Sequence, residues 1–165
     1  MKKIRWMKIA MMLVASVLAF TACNDDDDKF DVPRAVRAAF NQQYGDATRV
    51  EWDWERNGYV VAEFWKDNKE HEAWYTRDGQ WVMTEVDCGR NLSIVPQAVL
   101  EGFYASAYSA WTVDDIDMIQ RPGYAEVYRI EVEQRGQRDM DLYFDLSGTL
   151  IVEAVGDSNA LQVLF

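Results

Sequence analysis

Few side chains in this sequence are of the types that carry out chemistry. His71 is the single histidine. It follows a polar stretch from Lys66 to Glu70 and stands between two glutamates, where an exposed edge histidine is expected rather than a general base or metal ligand. Cys88 lies between Val86 and Gly89 with no histidine nearby, the setting of a small half-buried hydrophobe more than of a nucleophile. There is no glycine-rich phosphate loop and no serine–histidine–aspartate arrangement to argue from. Carboxylates are abundant, but Asp114, Asp115 and Asp117, like the run from Asp25 to Asp28, lack the spacing of a calcium loop. Asp139, Asp141 and Asp145 share one face of an alternating strand, where like charges are expected to point into water. Paired acids for glycoside hydrolysis would need one carboxylate in an apolar pocket. On these residues the sequence assigns no catalytic residue, metal or cofactor.

The aromatic residues carry more. Trp52 and Trp54 alternate with acids and share a face with Val50, which marks them as core. From Tyr59 to Trp65, Val60, Ala62 and Phe64 fill one face, while Tyr59, Val61 and Trp65 stand on the other with Glu63. Trp74 and Tyr75, adjacent on one strand, must point oppositely. Some rings therefore lie on the sheet face that no helix covers. Tyr59, Trp65 and Tyr75 are the expected anchors there for a protein or peptide partner, because large aromatics dominate binding interfaces. Acidic surroundings favour a basic partner.

The elements that must position these rings begin after a leader. Met1 to Lys8 carries four basic residues and no acid, and an apolar run from Ile9 to Phe20 follows, the pattern of a secretory signal peptide. The run ends Phe20-Thr21-Ala22-Cys23, which resembles a bacterial lipobox, although Phe20 stands where leucine is usual. The reading is a signal peptide over 1–22 and lipidation at Cys23, with acyl chains (palmitate) holding the protein to a bilayer. Residues 23–30 form an acidic tether, and its Asp25 to Asp28 run resembles the surface-export signal of Bacteroidetes lipoproteins. The expected location is the outer membrane, exposed at the cell surface, with a periplasm-facing anchor as the alternative. Removing the leader lowers Lys+Arg from 17 to 13 against 28 acids, about −15 overall. Such a charge argues against a nucleic-acid partner.

Residues 31–165 read as one domain of two similar units, 31–90 and 93–157. Val32-Pro33-Arg34-Ala35-Val36 with Phe40 beyond recurs as Val95-Pro96-Gln97-Ala98-Val99 with Phe103 beyond, at an offset of 63. Gly79 answers Gly148 later in each unit. The first helix is expected to start at Pro33, with Asp31 as its cap, and to end at Gly45; its inward stripe is Val36, Phe40 and Tyr44. The second is expected from Pro96 to Ala107, with Val99, Phe103 and Ala107 inward. Four strands follow each helix. In the first unit they include Val50 to Trp54, a tight Asn57-Gly58 turn, Tyr59 to Trp65, a polar loop, Glu72 to Thr76 and Trp81 to Asp87. In the second they lie near 117–120, 124–133, 139–145 and 149–155. The fold class is α+β: a tandem repeat of one helix and a four-stranded antiparallel meander, helices packed on one face of the sheet. One continuous sheet is preferred over two lobes because it removes two edges.

With this pattern the chain resembles the PepSY-like proteins of the beta-lactamase-inhibitor-like type. The likeness rests on Val32, Pro33, Val36, Phe40, Trp74, Tyr75, Asp78 and Gly79 and on Val95, Pro96, Val99, Phe103, Tyr143, Phe144 and Gly148. The resemblance implies a small secreted or lipid-anchored protein, whose best-known structural relatives bind and block an enzyme through the concave sheet face. The resulting expectation is a non-enzymatic envelope binding module. The alternatives are a structural or folding-related lipoprotein and, less favoured, a carboxylate-dependent hydrolase, for which a strongly perturbed carboxylate in a pocket would speak.

Overall fold

A computed structural model describes residues 31–54, 58–156 and 160–164 of the chain; the leader, the acidic tether and Cys23 lie outside the described residues. The elements run α1 (Arg34–Gln43), β1 (Thr48–Trp54), β2 (Val60–Lys66), β3 (Lys69–Tyr75), β4 (Trp81–Asp87), a 3-10 turn at Leu92–Ile94, α2 (Gln97–Ala105), β5 (Thr112–Gln120), β6 (Val127–Glu133), β7 (Met140–Asp145), β8 (Leu150–Val155) and α3 (Ala160–Leu164). All eight strands form one antiparallel sheet in chain order. The halves join where β4 pairs with β5, from Thr84 opposite Gln120 to Asp87 opposite Asp117. This is the continuous sheet that edge protection favours.

Strand register sorts the side chains onto two faces. On one face, Val60, Ala62 and Phe64 of β2 and Ala73 and Tyr75 of β3 meet Val36 and Phe40 of α1. On the same face, Ile116, Ile130, Leu142 and Phe144 meet Val99 and Phe103 of α2. Each helix thus buries its apolar stripe in a separate core cluster on this face of the sheet, and such packing is where most helix stability originates. The end of α1 is also tied down by polar contacts: Tyr44 Oη lies 2.7 Å from Thr84 Oγ1, to which Trp81 Nε1 also donates at 2.9 Å. Phe40, Tyr44, Phe64 and Trp52 fill this core with tilted and edge-on ring contacts at centroid distances of 4.6–5.6 Å.

Several local expectations are corrected. Neither long helix has a side-chain cap; Pro33 and Pro96 occupy the N-cap positions, so Asp31 does not cap α1. The second helix ends at Ala105; Ala107 is exposed, and Tyr108 packs against the core in its place. The supposed loop from Lys66 to Glu70 is a tight turn at Asp67 and Asn68, which hold φ of 52° and 60°. Short side chains that hydrogen-bond locally tolerate this left-handed backbone. Conversely, Trp54 pairs with Val60, so β1 and β2 are not joined by a two-residue turn; Asn57 of the expected Asn57-Gly58 turn lies outside the described residues. Strand β5 begins at Thr112, well before Asp117; its acids Asp114 and Asp115 disguised it, and a register irregularity lies between Val113 and Asp115. Strand β6 starts only at Val127. Tyr124 is left exposed with the Arg121 guanidinium over its ring at 4.7 Å. The sequence also gave no sign of α3, which matters for the opposite face.

Candidate functional site

The face away from α1 and α2 divides into an apolar band and an acidic groove. Register builds the acidic part directly: Glu63 of β2 stands opposite Glu72 of β3, and Glu72 opposite Glu85 of β4. Beside them Asp87 stands opposite Asp117, which stands opposite Arg129 of β6. Like charges directly opposite across strands are destabilising, so this row is held at a cost. Arg129, almost buried, relieves part of it by donating from Nε to Asp117 Oδ2 at 2.9 Å and forming an ion pair through the same guanidinium. Burial works against the Arg129 charge, but Asp117, Glu85 and Asp141 around it hold it firmly protonated.

Protonation relieves the rest. Burial, and then repulsion from Glu85 and Glu63, pushes the Glu72 carboxyl up to about 8. Glu72 is therefore largely neutral at neutral pH. A groove of about 1080 Å³ opens over this row, walled by Glu63, Glu72, Glu85, Asp87 and Asp117 and bounded by Trp65, Arg49 and Arg90. Arg90 pairs with Asp114 at 3.1 Å. Among the described residues, no group of three His, Cys, Asp or Glu is placed to hold a metal ion.

The sequence candidates fall in different places. Trp65 is on the groove face, 37 % exposed, with the Arg49 guanidinium 5.3 Å from its ring centre. Tyr59 is half-buried on the same face but against the apolar band. Six residue steps along the chain separate these two rings, about 20 Å at 3.3 Å per step; they mark opposite ends of the surface rather than one anchor. Tyr75 does not belong to it. It is wholly buried on the other face beneath α1, because its register partner is Val60. Trp74 takes the groove-side position that Tyr75 was expected to hold.

His71 is also not the exposed edge residue expected. It is 9 % exposed on β3, stacked on Phe64 at 5.0 Å, and Nδ1 donates to the Lys69 carbonyl at 3.1 Å. Burial lowers its pKa, which keeps it neutral. Cys88 is half-buried, and burial raises its thiol pKa although Lys69 Nζ lies 3.6 Å away. The three aspartates expected to form a solvated face part company. Asp139 is exposed and Asp141 is 1 % exposed beside Arg129. Asp145 accepts from Ser147 N, Ser147 Oγ and Thr149 N at 2.6–3.0 Å and fixes the β7–β8 turn. The bond from Ser147, with those from the turn backbone, lowers its pKa.

Sequence reasoning passed over Glu72, Glu85 and Arg129 as ordinary outward strand residues. The signal was present as glutamates at matching strand positions, but only the register shows that they face one another.

The apolar band of this face consists of Val61, Trp74, Met83, Ile119, Val127 and Tyr143, and α3 packs over it through Ala160, Val163 and Leu164. The face is therefore not free of helix, contrary to expectation. Among the described residues, the acidic groove is the open part of this face.

Solved structures similar over most of the chain include three from Bacteroides species. A BLIP-like protein from Bacteroides fragilis is 31 % identical, with a TM-score of 0.72, covering 82 % of this chain and 94 % of its own. A member of a domain-of-unknown-function family from Bacteroides uniformis is 29 % identical with a TM-score of 0.72, covering 78 % and 94 %. A protein from Bacteroides eggerthii described among "putative periplasmic proteins" is 27 % identical with a TM-score of 0.72, covering 79 % and 95 %. No curated protein matches. The family model described as "Putative beta-lactamase-inhibitor-like, PepSY-like" matches residues 28–64 and 58–152. With its eight-stranded antiparallel sheet, the chain belongs to this PepSY-like, beta-lactamase-inhibitor-like family.

Proposed function

We propose that this chain is a non-enzymatic binding module of the cell envelope that receives a basic segment of a protein or peptide in the acidic groove. The observation that carries the reading is the row Glu63, Glu72 and Glu85 on three adjacent strands. A sheet gains nothing in stability from such a row, whereas an arriving lysine or arginine would complement it and draw Glu72 toward its ionised form. Trp65 at the groove mouth supplies an apolar platform for the stem of such a side chain. A lysine-rich peptide serves as the probe. Replacing Glu63, Glu72 and Glu85 together by Gln is expected to weaken its binding at least about tenfold, the scale of a lost complementary charge cluster. Unchanged affinity would remove the groove as the binding surface.

The envelope setting is part of the proposal. Export by the leader, acylation at Cys23 and a tether over 23–30 would present the groove at the outer membrane, at the cell surface or facing the periplasm. A relative described as periplasmic supports the compartment. A clickable palmitate analogue fed to cells should label the protein, and Cys23→Ser should abolish the label.

We also read the domain as a tandem duplication. Pro33 and Pro96 hold the same N-cap position, and Gly79 and Gly148 each press against the helix residue two places on, Ala35 and Ala98.

One observation favours a second reading, carboxylate-dependent hydrolysis: the raised Glu72 could serve as a general acid beside an ionised neighbour. It is the weaker reading because the residues directly opposite Glu72 on both neighbouring strands are themselves acids, Glu63 and Glu85. Turnover of a chromogenic glycoside by the intact chain, lost in Glu72→Gln, would establish it; no turnover together with charge-dependent peptide binding would leave the binding reading.

A further inference from the structure

The helix α3 is five residues long, too short to persist in water without tertiary support. What it covers is the apolar band that continues the acidic groove along the same sheet face. Ala160 is almost fully buried there, and Val163 and Leu164 are half-buried. Beyond these, the described tie is a bond from Arg121 Nη1 to the Leu164 carbonyl at 3.0 Å. The fit is chemically incomplete. Trp74 is 5 % exposed, yet its indole Nε1 has no hydrogen-bond partner among the described residues. The hydroxyl of fully buried Tyr143 lies in the field of Arg129 without a well-formed hydrogen bond. A buried donor left without an acceptor is costly, so an occupant offering an acceptor to Trp74 would be preferred over α3.

We propose that α3 is a self-docked plug: it masks the apolar band in the free protein and gives way to an apolar segment of the basic partner, whose carbonyl or hydroxyl accepts from Trp74 Nε1. This rests on the binding reading above and deepens it, because the partner would then be amphipathic, with basic residues over Glu63, Glu72 and Glu85 and apolar residues over Met83, Ile119 and Val127. Charge complementarity identifies the basic part, and α3 itself shows that short aliphatic side chains suit the band.

The plug can be tested apart from the groove. Two full-length variants, Ala160→Asp and Arg121→Ala, disturb the docking, and a chain ending at Gly156 removes it. An anilinonaphthalene sulfonate dye reports exposed apolar surface, far-ultraviolet circular dichroism reports that the sheet remains folded, and hydrogen exchange reports opening of α3. The expected result is that residues 160–164 of the intact chain exchange at least about a hundredfold faster than the central strands. In addition, the folded variants should bind the dye, and a peptide of residues 157–165 added in trans should displace it. An amphipathic Lys/Leu peptide should bind them at least about tenfold more tightly than the intact chain. The proposal is overturned if α3 exchanges only with the central strands, or if any folded variant binds dye and peptide no better than the intact chain. Loss of the sheet signal in all three variants would overturn it as well, since α3 would then be part of the fold. Failure of the glutamate-to-glutamine test with a successful plug test would instead remove only the acidic groove.

Discussion

Glu72 sets the strongest residue-scale expectation. Its carboxyl holds a proton up to about 8 in the folded chain, against an ordinary value of 4.5. The folded state therefore binds more protons than the unfolded state between these values, so this contribution is complete below about pH 4.5 and is lost as pH rises toward 8. Glu72→Gln, which cannot ionise, should flatten this part of the stability profile. It should gain on the order of 4 kcal/mol at pH 8 and almost nothing at pH 4.5, as measured by urea unfolding at both values. The neighbouring pair should behave asymmetrically. Arg129→Met leaves Asp117, Glu85 and Asp141 without their shared cation and is expected to cost about 3–5 kcal/mol, the scale for a broken buried pair. Asp117→Asn leaves Arg129 with other acids in reach and should cost less, about 1–2 kcal/mol.

At the scale of the element, each long helix rests closely on the β-turn beneath it. Gly148 has φ of 83°, and a Cβ built there would sit 2.0 Å from the Ala98 carbonyl oxygen. Gly79 has φ of 87°, and its Cβ would meet the Ala35 backbone at 2.7 Å. Gly123 has a similar φ of 79° with nothing within 4 Å. Replacing each by Ala separates backbone strain from collision. Gly123→Ala should cost about 1 kcal/mol, and Gly148→Ala about 3 kcal/mol or more, because α2 must lift from the sheet. Thermal unfolding of the variants would check the ranking, and an equal loss at all three would show that the helices do not rest on these glycines. The likeness of Gly79 and Gly148 was visible in the sequence as a shared position after an aromatic pair. The reason for it was not, since the partner backbone lies more than forty residues away.

For the whole molecule, charge dominates. The sequence carries −11, and about −15 without the leader, and many of these acids share one sheet face. Self-repulsion of this kind destabilises the compact state and is screened by salt. Raising sodium chloride from low to about 0.5 M should raise the melting temperature by a few degrees, on the order of 1 kcal/mol. The change should be smaller when Glu63, Glu72 and Glu85 are all Gln. The same salt should weaken binding of a basic peptide, so stability and affinity move in opposite directions. That opposition is the signature of a face held at a cost for a partner.

Periodicity alone determined the α+β class, the apolar stripes of α1 and α2, the alternation that puts Val60, Ala62 and Phe64 beneath a helix, and the place of Trp52 and Trp54 against the first core. These follow from local geometry, because a residue's side of a strand or helix is set by its neighbours in the chain. Turn boundaries were less legible, since Asp67 and Asn68 are polar loop residues in composition and left-handed turn residues only in context. Tertiary structure decided the rest. Tyr75 went under α1, His71 and Asp141 went inside, and Glu63, Glu72, Glu85, Asp117 and Arg129 came together from five strands. It also laid α3 over Trp74 and Tyr143. Which outward residues face one another depends on strand order and register, and these are set by the burial of the entire sheet rather than by any single segment.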